Sequence, residues 1–216
     1  MASEAAPPQA TVPTGRRDAV RNYHRVLEAA REVLGESGAD ASMEEIAGRA
    51  GVGVGTVYRR FASKDALIDE LLRLSMEEAL HAARQGLACP GGDGLEQYLR
   101  GLGAVFAAHA RYAHLLLERS SDSAAAVEMR AAVNELTARA VAAGTLNPEV
   151  TYADVMALIW AMRGLTEATD GVAPGAWQRF LDIHLAGLRA AGPLSERPAM
   201  SAGQLAELLP QDSGGS

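Results

Sequence analysis

Residues 42–64, SMEEIAGRAGVGVGTVYRRFASK, read as a short helix, a glycine turn and a second, basic helix, and no other stretch restricts the fold as strongly. Ser42 is placed to accept from the Glu45 N–H while the Glu45 carboxylate reaches back to the Ser42 N–H, a capping box that starts the first helix. Ile46 and Ala47 then face inward. Gly51 falls where the helix must stop with φ > 0, and Val52 adds an apolar contact that holds the two helices at a wide angle. The second helix is expected over about 53–61. Its Val57 and Phe61 lie one turn apart and pack inward, which leaves Val54, Gly55, Thr56, Tyr58, Arg59 and Arg60 facing outward. The pattern is that of a helix-turn-helix.

Other readings of the same glycines fail on context. The third glycine of a dinucleotide-binding loop would fall on Thr56, and a helix, not an apolar strand, precedes the turn. There is no Walker-type Gly-Lys-Ser/Thr run. Apolar residues make up 48% of the 216-residue chain and aromatics only 5%. With Ala, Leu and Val recurring at helical spacing and no alternating β-branched segments, the expected fold is all-α. The lone cysteine, Cys89, excludes a disulfide framework within the chain and argues against a cysteine-based metal site. No metal or cofactor is expected. Every apolar run is interrupted by charge well short of a bilayer span, and residues 1–15, rich in Ala, Pro and Thr, read as a disordered arm and not as a signal peptide. A cytoplasmic protein with no membrane partner is expected.

The net charge of −7 opposes nucleic-acid binding only if it is spread evenly. It is not: residues 1–73 hold 10 basic and 11 acidic side chains, and residues 74–216 hold 10 and 16. Arg16, Arg17, Arg21, Arg25 and Arg31 outnumber Asp18 and Glu28 on the first helix, expected over about 17–36 with Val20, Tyr23, Leu27, Ala30 and Leu34 as its apolar stripe. Arg59, Arg60 and Lys64 cluster at the second helix of the motif. Phosphate binding scales with local neutralisation, so such a face suffices.

Ala50-Gly51-Val52, the run GTVYRRF at 55–61 and ASKDAL at 62–67, with a long helix on either side, resemble the TetR-type one-component transcriptional regulators of bacteria over roughly residues 16–86. Gly53 departs from that pattern, where a small polar residue often opens the reading helix. The resemblance implies a head over 16–62 that reads double-stranded DNA. In that head Thr56 and Arg60 face base edges, Arg59 faces a base edge or a nearby phosphate, Tyr58 and Lys64 take phosphates, and Val54 meets a thymine methyl. Ser42 and Gly55 complete the expected contact set. It further implies a helical body over 63–191 for ligand binding and dimerisation, a near-palindromic operator read by two heads about 34–36 Å apart, and repression relieved by a small molecule.

The body is read from the residues themselves. Ser63 caps a helix that runs to about Gly86, and Asp93 with Glu96 starts the next. A break follows His109, with a short helix or turn about 111–121. Helices over about 124–143, from Thr151 to about 169, and over 176–191 come next, then a tail over 192–216 with a weak helix at about 201–209. Ala157, Trp160, Ala161 and Gly164 share one face and Trp177, Leu181, Leu185 and Leu188 form a stripe. Either face fits an internal core, and the resemblance favours a dimer interface. Polar groups stranded among apolar positions, His109, His114, Glu118 and Arg163, point to a ligand site. Phe106, His109, Met129, Ile159 and Arg163 are the expected lining, with Arg163 available to an acidic ligand unless Glu167 claims it. The competing functions are a helical protein-binding adaptor and a helical-bundle enzyme. The enzyme reading lacks a second Glu-x-x-His to pair with Glu78-x-x-His81, and lacks a Ser/His/Asp set or Cys/His cluster at usable spacing.

Overall fold

The computed structural model describes residues 14–112 and 124–208. Residues 1–13 of the arm expected over 1–15, the segment holding His114 and Glu118, and residues 209–216 of the tail lie outside the described residues, and Thr14 and Gly15, expected in that arm, belong to the first helix. Those described form helices joined by turns, without strands: α1 (Thr14–Ser37), α2 (Met43–Ala50), α3 (Val54–Arg60), α4 (Lys64–Ala88), α5 (Gly94–His109), α6 (Ala124–Ala142), α7 (Tyr152–Thr169), α8 (Ala176–Leu188) and α9 (Ala202–Leu208). The chain divides into two compact units between Leu67 and Ile68, inside the unbroken helix α4.

The first unit is built on α1, whose buried face is Val26, Leu27, Ala29, Ala30, Val33 and Leu34. Val20, expected in that stripe, is instead 53% exposed, so the buried stripe starts later in the helix. Gly38 at φ +56° turns the chain into a 3-10 turn over Gly38–Asp40. The capping box then forms as the sequence requires: Glu45 N–H donates to Ser42 Oγ at 3.1 Å, and Ser42 N–H to Glu45 Oε2 at 2.9 Å. Gly51 takes the left-handed conformation at φ +63°, and Val52 N–H closes on the Ala47 carbonyl at 3.1 Å. Arg49 fastens α2 to α1 by pairing with Glu36 at 2.7 Å and Glu32 at 2.9 Å, and the two carboxylates raise its pKa. Ile46 and Val57 are fully buried beneath the turn.

The second unit has one apolar core, fed by α4 (Ala79, Ala83), α5 (Leu95, Tyr98, Leu99, Leu102), α6 (Val133, Leu136), α7 (Val155, Ile159, Met162) and α8 (Trp177, Leu181, Leu185). Gly103 makes room for the indole of Trp177: a Cβ there would stand 2.3 Å from the ring. The hydroxyls of Thr137 and Thr166 are buried and donate back to the carbonyls one turn earlier, at 2.8 and 2.7 Å. Helix α7 opens on a second capping box, Thr151 with Asp154. The start of α5 departs from expectation. Asp93 is in the helical conformation at φ −80° and ψ −10° and makes no side-chain cap, and the Glu96 carboxylate is drawn instead to Arg100, at 2.7 Å, and to Arg189 beyond the end of α8.

Candidate nucleic-acid interface and interior cavity

Helix α3 is seven residues long, and with Val57 and Phe61 buried its orientation is fixed. At about 100° per residue, the direction opposite those two side chains is that of Gly55, Thr56 and Arg59, with Tyr58 on one flank and Arg60 on the other. Arg59 and Gly55 are exposed and Thr56 is half-buried. In the unliganded helix the Arg59 guanidinium folds back along its own face, Nε donating to the Gly55 carbonyl at 3.2 Å and Nη2 to Thr56 Oγ1 at 3.1 Å. Val54 and Tyr58 are 38% and 46% exposed, unusual for such side chains and consistent with a face awaiting a partner.

Three expected DNA contacts have other work. Arg60 sits over the ring of Tyr23 in α1, 4.9 Å from its centroid, and Tyr23 in turn stacks on Phe61. It is thus held at the edge of the outward face of the helix, not at its centre. Lys64 lends its ammonium to the carbonyls of Ala39 and Ala41, the latter at 3.0 Å, so two of its three donors tie the start of α4 to the turn before α2. The hydroxyl proton of Ser42 goes to Glu45 Oε2 at 3.0 Å, so Ser42 is a cap and has no donor left for a phosphate. The expected basic excess of α1 is also smaller than its count, since Arg21 pairs with Asp18 and Arg31 with Glu28. Gly53 opens α3 without a side-chain cap.

In the second unit Phe106, His109, Met129, Ile159 and Arg163, dispersed over 58 positions of sequence, come together around one cavity of about 200 Å³. Leu72 and Met76 of α4, Tyr98 and Leu102 of α5 and Met156 of α7 complete its apolar wall. Arg163 is claimed by Glu167 at 2.8 Å, so the cation does not stand alone. His109, only 4% exposed, bridges two elements: Nε2 pairs with Glu78 of α4 at 2.8 Å, and Nδ1 meets the Tyr112 hydroxyl. A carboxylate only accepts, so Nε2 donates to Glu78. The sequence held no signal for this chain, because Glu78 and His109 lie on different helices. Tyr98 was legible only as an apolar position, yet it lines the cavity and its hydroxyl stands 3.5 Å from Sδ of Met129, another lining residue. Burial first, then the neighbouring Tyr152 phenol, raises the Tyr98 pKa above its ordinary value.

The expected association face divides. Ala157, Ala161 and Gly164 are exposed on α7, with Trp160 half-buried. Trp177, Leu181 and Leu185 are 6%, 0% and 2% exposed, inside the core of their own chain, and Leu188 packs against that core. The apolar stripe of α8 therefore faces inward, a correction to its expected role. Its outer side instead presents Ile183, 56% exposed, with Phe180, His184 and Gly187 along an open groove shared with Ala157 and Ala161.

Residues 26–71 match the model of the bacterial regulatory proteins of the tetR family. Residues 90–190 match the C-terminal domain of SbtR-like transcriptional regulators. The crystal structure of a TetR transcription regulatory protein from Mycobacterium vanbaalenii is 32% identical, covering 81% of this chain and 99% of that one at a TM-score of 0.58. This chain belongs to the TetR family. A TetR transcriptional regulator from Streptomyces coelicolor is similar at 27% identity over 78% of this chain and 99% of that one, with a TM-score of 0.59. The regulator UidR of Escherichia coli is 40% identical over 62 residues, 28% of this chain, and the match spans about a third (32%) of that curated relative's length. The first TetR-family match holds all of α2 and α3, and the second holds α5, α6, α7 and α8, of which α5, α6 and α7 line the cavity together with α4, and α7 and α8 line the groove. No helix among the described residues is long and apolar enough to cross a membrane.

Proposed function

We propose that this chain is a homodimeric transcriptional repressor that holds a near-palindromic operator through α3 and releases it when a small, largely apolar molecule fills the cavity of the second unit. The observation that carries the reading is the outward face of α3. It is a short helix locked by Gly51, Val57 and Phe61, with Gly55, Thr56 and Arg59 at its centre and no fold-preserving partner beyond itself. In the major groove Arg59 reaches a base edge, Thr56 offers a hydroxyl, and the bare Gly55 backbone admits close approach. Tyr58 and Arg60, on the flanks, take the phosphates of the two strands, and Lys64 contributes its remaining donor. The small-residue face of α7 and the outer side of α8 pair with a second copy about a twofold axis.

Release follows from linkage. A ligand lowers operator affinity only if it binds more tightly to one arrangement of the heads than to the other, and DNA then weakens the ligand by the same factor. The contacts available for this lie on α4, the helix whose first turn belongs to the head: Leu72 and Met76 stand in the cavity wall, and Glu78 pairs with His109 of that wall. The test is to sequence the genomic fragments retained by the purified protein and titrate one of them by fluorescence anisotropy at two salt concentrations. Selected DNA should bind far more tightly than random DNA, with a log–log salt slope of about −0.9 per neutralised phosphate. Equal affinity for selected and random fragments would show that α3 reads no sequence.

A further inference from the structure

Resting on the effector reading above, the geometry points to the class of molecule: we infer that the cavity takes an uncharged compound of about eight to ten non-hydrogen atoms with one hydrogen-bond acceptor, held by the hydroxyl of Tyr98. Size comes first. A cavity of about 150 Å³ holds benzene, so about 200 Å³ suits a ring with a short substituent. Charge is next. The Arg163 guanidinium is already paired with Glu167 at 2.8 Å, both on the wall, and Arg130, also on the wall, is engaged as well. A carboxylate would have to compete with Glu167 for a guanidinium that is already paired. The acceptor is specified by Tyr98. It is 1% exposed, and the one hydrogen bond of its hydroxyl among the described residues runs to the thioether of Met129 at 3.5 Å, a weak acceptor. A buried phenol O–H so poorly partnered gains most from a carbonyl oxygen delivered by the ligand. His109 does not compete for that role, because Glu78 and Tyr112 occupy both its nitrogens.

The experiment compares acetophenone with α-methylstyrene, which replaces its carbonyl oxygen by a methylene in the same planar shape, and with benzoate. Binding to the full chain is measured by calorimetry. Wild type should prefer acetophenone to both. Tyr98→Phe should lower acetophenone affinity about five- to tenfold and leave α-methylstyrene unchanged or tighter, with an unaltered melting temperature because the lost partner is only a thioether. Met129→Leu, which removes that thioether, should keep or widen the preference for acetophenone. Equal losses for acetophenone and α-methylstyrene in Tyr98→Phe, or benzoate binding best, overturns this inference and leaves the effector reading standing. Failure of all three probes to bind overturns both.

Discussion

Arg59 and Arg60 are neighbours with the same chemistry, and the buried pair Val57 and Phe61 gives them different tasks. Arg59 lies on the outward face of α3 with its guanidinium folded along that face, whereas Arg60 is turned toward Tyr23. Arg59→Ala should therefore cost about 1–3 kcal/mol of operator affinity and relax preference at one base position. Arg60→Ala should weaken selected and random DNA by the same factor, read by anisotropy on both. Specificity lost at Arg60 and kept at Arg59 would reverse the assignment. Gly55 is a sharper probe, because a Cβ there meets nothing within 4 Å and its backbone is helical. The fold does not need that glycine. Gly55→Ala should raise the stability of the head by about 0.5–1 kcal/mol and yet reduce operator affinity, two opposite signs from one methyl group. Lys64 separates from both: its ammonium holds the carbonyls of Ala39 and Ala41, so Lys64→Ala should lower the thermal stability of the head by about 1–3 kcal/mol as well as weakening DNA. Calorimetry showing no loss of stability would return Lys64 to a pure phosphate contact.

At the scale of elements, what was legible in the sequence was local. The capping box of α2, the start of α7 at Thr151, the left-handed Gly51 and the break after His109 each depend on residues within a few positions of one another, and each is found where the spacing puts it. The lining of the cavity was legible in part, because a polar side chain stranded among apolar ones is a local anomaly even when its partner is distant. What the sequence left open depends on which long-range partner wins. Trp177, Leu181 and Leu185 make an apolar stripe that serves a dimer or a core equally well, and Gly103 decides for the core by opening space for the indole. Glu96 is the same lesson in electrostatics. Its spacing from Asp93 suits a capping box, but Arg189 and Arg100 take it, and those two hydrogen bonds, Arg189's the larger, hold its carboxyl below the usual range. A depressed carboxyl stabilises the fold fully above its unfolded pKa and loses that contribution as pH falls through the folded one. Glu96→Gln should accordingly reduce stability by about 0.5–1 kcal/mol at neutral pH, an exposed-pair magnitude. The difference from wild type should close below about pH 4. A difference that persisted in acid would mean Glu96 acts by shape and not by charge.

At the scale of the molecule, the proposed function requires two copies, because a head with three proposed central contacts holds an operator only weakly by itself. One head alone offers Gly55, Thr56 and Arg59 with two flanking side chains, and sequence discrimination of about 1–3 kcal/mol per good base contact leaves a monomer weak. The exposed surfaces available to a second copy are the small residues of α7 and the Phe180, Ile183 and His184 side of α8, which border one groove. Gly164 makes the test clean, because a side chain added there meets no atom of its own chain within 4 Å. Gly164→Leu should leave the melting of the isolated chain intact or improve it, since leucine is the better helix former by nearly 1 kcal/mol. It should nonetheless convert dimers to monomers in sedimentation and abolish operator binding at concentrations where wild type saturates. Leu181→Ala is the necessary contrast: that side chain is fully buried in its own core, so its loss should cost about 2–5 kcal/mol of folding stability whatever the state of assembly. If Gly164→Leu sediments as wild type and still holds the operator, the two copies meet elsewhere and the groove between α7 and α8 is not their interface.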